Sequence, residues 1–100
     1  MKINTQKEGT QLVVAIEGRL DTTSAPQLED ALKDTLAGVE KLVMDFTGLE
    51  YISSAGLRIL LSTQKVMNKQ GSMVIRNANE VVKEVFDMTG FSDILTLSPL

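Results

Sequence analysis

Apolar positions along the chain alternate between stretches of strand-like and helix-like spacing. Ile3–Lys7 predicts a short edge strand. The turn Glu8-Gly9-Thr10 leads into Gln11–Glu17, whose unbroken apolar run Leu12–Ile16 predicts a buried strand. So short a turn makes the two strands antiparallel. Gly18–Thr23 breaks the pattern. Ser24 then stands where a helix cap belongs, Gln27 completes a capping box, and Pro26 suits a first turn. Leu28, Ala31, Leu32, Thr35 and Leu36 follow at helical spacing, and Gly38 ends the helix as a left-handed cap. Lys41–Phe46 predicts another apolar strand, Thr47–Ile52 a loop, and Ala55 to about Lys69 a helix stopped by Gln70-Gly71. Ser72–Arg76 is a strand around Met73-Val74-Ile75. Asn77 or Asn79 caps a third helix lined by Val81, Val82, Val85, Phe86 and Met88, which Gly90-Phe91 closes. Ile94–Leu97 reads as a last short strand.

Strands alternating with helices imply right-handed crossovers and a largely parallel sheet, with an antiparallel edge from the first hairpin. The expected architecture is a small single α/β domain over residues 1–100. Its sheet is mixed, mostly parallel and of about five strands, with three or four helices. A chain of 100 residues leaves room for one such domain.

Composition narrows the chemistry. The sequence has no cysteine and no histidine. That excludes thiolate nucleophiles, imidazole acid–base catalysis and His- or Cys-ligated metals, so neither a metal nor a cofactor is expected. A net charge of −3 and four aromatic residues disfavour nucleic-acid binding. The N-terminus lacks the apolar core of a secretory signal, and the longest apolar run, Leu12–Ile16, is far short of the ~20 residues that span a bilayer. A cytoplasmic protein without membrane insertion is expected. Charge is uneven, however: between Tyr51 and Asn79 lie Arg58, Lys65, Lys69 and Arg76 and no anion.

The candidate chemistry lies in Val43–Leu61, where a strand leads through a loop to Ser53 and Ser54 at a helix start. Backbone N–H groups there are unpaired and the helix dipole is positive, which suits an anion such as phosphate. The serines read either as caps or as a phosphorylation site. Ala55 and Gly56 are small and leave a hydroxyl open to another protein. On a wheel of about 100° per residue, Arg58, Ser62, Lys65 and Lys69 form one polar stripe. Leu57, Leu60, Leu61 and Met67 form an apolar side that Ile59 and Val66 widen. Extrapolated backwards, Ser54 falls beside the basic stripe and Ser53 on the apolar side. Arg58 then lies within reach of a phosphate on Ser54. The wide apolar arc is covered either by neighbouring elements on both flanks or by a partner. Asp45 ends a strand, and no acidic cluster or later lysine accompanies it as a receiver domain would require. Thr47 and Gly48 read as turn residues.

The stretch Asp45-Phe46-Thr47-Gly48-Leu49…Ile52-Ser53-Ser54-Ala55-Gly56-Leu57, with Gly18-Arg19-Leu20-Asp21 upstream, resembles the STAS family of sulfate transporters and anti-sigma-factor antagonists. The likeness covers essentially the whole chain. A stand-alone domain is similar to the bacterial antagonist branch. There, the resemblance implies, the regulated serine is Ser54. Many members carry Asp immediately before it, where this chain has Ser53, so Ser53 is the alternative. The implied partners are an anti-sigma factor with a GHKL-type serine kinase domain, bound when the serine is unmodified, and a PP2C-type phosphatase that reverses the modification. Asp21 corresponds to the family's acidic residue near that site, or is a turn carboxylate before Ser24. Partner contacts are expected from Asp21, Ser53, Ala55, Gly56, Leu57 and Arg58. The rival within the family is a STAS subunit of a membrane ABC-type lipid transport complex. A serine enzyme is disfavoured, because there is no histidine base and Lys65 lies about three turns from Ser54.

Overall fold

The computed structural model describes residues 1–98. Strands β1 (Lys2–Glu8) and β2 (Gln11–Leu20) form the expected hairpin. Helix α1 (Ala25–Thr35), strand β3 (Lys41–Ile52), helix α2 (Ser54–Gln70), strand β4 (Ser72–Arg76) and helix α3 (Glu80–Thr89) follow, and a 3-10 turn at Phe91–Asp93 comes last. The sheet order is β1-β2-β3-β4, with β1 antiparallel to β2 and the other neighbours parallel.

One face of the sheet supplies the core. Leu12, Val14 and Ile16 of β2, Leu42, Met44 and Phe46 of β3, and Met73 and Ile75 of β4 are almost wholly buried. They form one cluster with Ala25, Leu28 and Leu32 of α1, Leu57, Leu60 and Met67 of α2, and Val82 and Phe86 of α3. Alternation along each strand sends Val13, Ala15, Asp45 and Arg76 to the opposite face. Among the described residues no helix is long and apolar enough to cross a membrane.

Several boundaries differ from expectation, each for a physical reason. The sheet has four strands rather than about five. Ile94–Leu97 contributes a single parallel bridge, Ile75 to Leu97, anchored by Ile75 N–H to Thr96 O and Ser98 N–H to Ile75 O. The expected loop Thr47–Ile52 is strand: β3 continues because Leu49 and Ile52 are buried and β2 extends to Leu20 beside it. Two register shifts, between Ala15 and Glu17 and between Gly18 and Arg19, carry that extension. Gly18 takes φ +101° at the second, a conformation that side-chain-bearing residues rarely adopt. The Ser24–Gln27 capping box does not form. Ser24 Oγ instead donates to Arg19 O and accepts from Asp21 N–H, while Gln27 reaches Met1 O. In α3, Asn79 rather than Asn77 caps, and only Val82 and Phe86 of the five expected lining residues are buried. Val85 is half-buried, and Val81 and Met88 face solvent.

Candidate functional site

The two register shifts set the site's geometry. They bring Leu20 opposite Ile52 at the end of the β2–β3 ladder, so both side chains enter the core together. Ser53 N–H then donates to Leu20 O at 2.9 Å, and Leu57 N–H closes the first turn of α2 on Ser53 O at 3.0 Å. The helix start is thus hung from the end of β2. Gly56 is the residue this requires. A Cβ there would lie 2.7 Å from Leu20 Cγ and 2.8 Å from Ile52 Cγ1. Its small size lets the helix approach the sheet, and Gly56 is itself buried. Gly56 and Leu57, expected to touch a partner, therefore lie in the core and shape the surface from beneath.

The two serines separate. Ser54, the first residue of α2, is exposed. Ser53 is half-buried in extended conformation, and its Oγ is shielded from solvent with no hydrogen-bond partner among the described residues. Ser53 makes no side-chain cap, so the first N–H groups of α2 receive none from it. The first turn carries no acidic residue either, leaving the positive end of the dipole uncompensated. Ala55 is half-buried and Arg58 exposed, with no acidic partner for its guanidinium among the described residues. Ser62, Lys65 and Lys69 are exposed, as the helical wheel requires. Arg76, counted with this basic stretch, instead lies on the far side of the sheet, 3.6 Å from Asp45.

Asp21 occupies the turn facing this helix start. Its Oδ1 accepts from Thr23 Oγ1 at 2.8 Å, Thr23 N–H at 3.0 Å, and Ser24 N–H and Oγ at 3.2 Å. The Thr23 hydroxyl bond leads the interactions that hold this carboxyl below its ordinary value, against a smaller opposing effect of desolvation. Asp21 is therefore a turn-fixing carboxylate, and its Oδ2 makes no hydrogen bond or ion pair with any described residue. A surface hollow of about 390 Å³ runs from Thr22 and Ala25 to Ala55 and Arg58. It adjoins an apolar groove of about 360 Å³ between α1 and α2, bounded by Leu32, Leu36, Ile59 and Val66. One flank of the wide apolar arc is therefore open: Val66 is 41% exposed.

Nothing in the apolar pattern revealed a further feature of this edge. Arg19 and Tyr51 are register partners, and the Arg19 guanidinium lies over the Tyr51 ring, 4.6 Å from its centroid. Only the pairing register brings residues 32 positions apart together, so no local signal reports it.

A model of the STAS domain matches residues 2–99. The chain belongs to the STAS family. Among STAS relatives it is 34% identical over 100 residues to the putative anti-sigma factor antagonist BtrV of Bordetella bronchiseptica, covering 98% of this chain and 86% of that protein. It is 29% identical over 99 residues to the anti-sigma-B factor antagonist of Bacillus subtilis, covering 98% and 91%. The crystal structure of an anti-sigma factor antagonist from Mycobacterium paratuberculosis superposes with a TM-score of 0.89 at 25% identity, covering 99% of this chain and 86% of that one. The mixed sheet with three helices on one face is thus the STAS fold.

Proposed function

We propose that this STAS protein is an anti-sigma-factor antagonist of the cytoplasm whose partner binding is switched by phosphorylation of Ser54. It is a binding module and the substrate of other enzymes. Unmodified, the edge formed by Asp21, Ser54 and Arg58 docks onto an anti-sigma factor that carries a GHKL-type serine kinase domain. That kinase phosphorylates Ser54, and a PP2C-type phosphatase removes the group. The carrying observation is the separation of the serines: Ser54 is exposed at an uncapped helix start four residues before Arg58, whereas the Ser53 hydroxyl is buried. The names of the relatives support the choice of partner.

Charge arithmetic gives the switch its direction. A phosphate adds about −1.5 to −2 charge at neutral pH. At a helix N-terminus it gains roughly 0.3–2 kcal/mol from the dipole, so the fold tolerates it. Docked against a partner, the dianion must shed water, at a cost of several kcal/mol if unpaired. A loss of ~3 kcal/mol weakens binding more than a hundredfold. The interface effect exceeds the folding effect, and the block is local.

The test is incubation with the cognate kinase and ATP followed by mass mapping. Phosphate on Ser54 is expected. Phosphate on neither serine removes the switch, and phosphate on Ser53 alone moves it to a residue whose hydroxyl the fold would first have to expose.

A further inference from the structure

We infer that Arg19, stacked on Tyr51, is a specificity-determining contact of this edge and receives an Asp or Glu side chain of the partner kinase. The inference deepens the proposed function and rests on it.

Arg19 and Tyr51 occupy the ladder rung next to Leu20 and Ile52. Asp21 lies two residues beyond Arg19, and Ser53 two beyond Tyr51. At about 3.3 Å per residue, the stacked pair therefore stands roughly 7 Å along the strands from the turn and helix start that carry the site. Leu20 and Ile52 point into the core, so the pair projects on the opposite, helix-free side of the same sheet end. A partner seated over that end meets Ser54 and Arg58 on one side and Arg19 on the other.

Three observations assign Arg19 a ligand. Its side chain is exposed, yet it makes no ion pair or hydrogen bond with any described residue. The nearest acid along its strand, Glu17, is engaged by Lys2 at 3.9 Å. The register shift at Gly18–Arg19 sits where such irregularities re-aim a side chain, and here it sets Arg19 opposite the Tyr51 ring. The guanidinium over the ring has its N–H donors unused by any described residue, and such a planar fork matches a carboxylate in bidentate fashion. An arginine already immobilised on a ring loses little further freedom on binding, which is the property of an interface hot spot.

The test measures affinity for the kinase that modifies Ser54, together with melting temperature, for Arg19→Ala, Arg19→Lys and Tyr51→Phe. Arg19→Ala is expected to weaken binding about tenfold with an unchanged melting point. Arg19→Lys keeps the charge without the fork and recovers only part of the loss, whereas Tyr51→Phe keeps the ring face and binds like wild type. Independently of any partner, NMR relaxation of the Arg19 Nε–H group in the free protein should show an ordered guanidinium that becomes mobile in Tyr51→Leu. Wild-type binding with Arg19→Ala within twofold of it overturns this inference alone, as does a guanidinium already mobile in the wild type. Full recovery by Arg19→Lys overturns the carboxylate fork. A wild-type protein that binds no such kinase overturns the functional reading, and this inference with it.

Discussion

Helices α2 and α3 both begin at a short polar residue in extended conformation, Ser53 and Asn79, and they treat that residue in opposite ways. Asn79 Oδ1 accepts from Val82 N–H at 2.8 Å and its Nδ2 donates to Leu49 O at 3.0 Å, while Glu80 places a negative charge in the first turn. The α3 start is closed to an anion. The Ser53 hydroxyl makes no cap and has no partner among the described residues, and the α2 first turn has no acid. What fastens α2 is backbone and packing: Ser53 N–H on Leu20 O, and Gly56 against Leu20 and Ile52. An end held by the strand's backbone and by packing, rather than by a side-chain cap, leaves its first N–H groups and dipole to whatever is attached at Ser54.

The comparison is broken most severely at Gly56. Gly56→Ala forces Leu20 and Ile52 apart, and an overpacked core of this kind costs typically ~1–3 kcal/mol, read as a lower melting temperature or denaturant midpoint. A stability within ~0.5 kcal/mol of wild type would show that packing does not fasten α2. Truncating the two caps should then give opposite signs. Asn79→Ala removes a used cap and costs roughly 1 kcal/mol. Ser53→Ala removes a buried, unpaired hydroxyl and is neutral or stabilising. Equal losses at both positions would mean that Ser53 caps after all.

Acid should sharpen the contrast between Asp21 and Asp45. Both accept from the backbone and hydroxyl of the threonine two residues on, but Asp45 also meets Asn77 and Arg76 across the sheet. Burial alone would raise the Asp45 carboxyl. The bonds from Thr47 and Asn77 and the Arg76 charge outweigh it, and the group lies below its ordinary value near 3.8. A depressed folded-state pKa means stability that is complete above that ordinary value and lost as pH falls through the folded one. Urea midpoints below about pH 4 should therefore fall less steeply for Asp45→Asn than for wild type; identical slopes would remove Asp45 as a contributor.

Local pattern carried the element order because each strand and helix buries its own periodic stripe. It also carried the separation of Ser53 from Ser54, because α2 continues a regular wheel to its first residue. Pattern failed where pairing decides. The Thr47–Ile52 segment looks like a loop until β2 extends beside it through two register shifts, and Arg19 meets Tyr51 only in that register. Gly56 was legible as a small residue beside the serines, but the close approach to Leu20 and Ile52 that requires it was not. On α3, the spacing of Val81, Val85 and Met88 looked like core, although Val85 packs against it only half-buried and Val81 and Met88 are exposed, Met88 at 82%.

The central claim is that charge at Ser54 blocks docking without disturbing the fold. Homogeneous Ser54-phosphorylated protein, compared with unmodified protein, gives the most direct measurement: affinity for the anti-sigma factor and melting temperature on the same samples. The account predicts a more than hundredfold loss of affinity, the ~3 kcal/mol of desolvating an unpaired dianion in the docked complex, at an unchanged or slightly raised melting temperature. Retained affinity, or a loss of affinity accompanied by a fall in melting temperature, would contradict it.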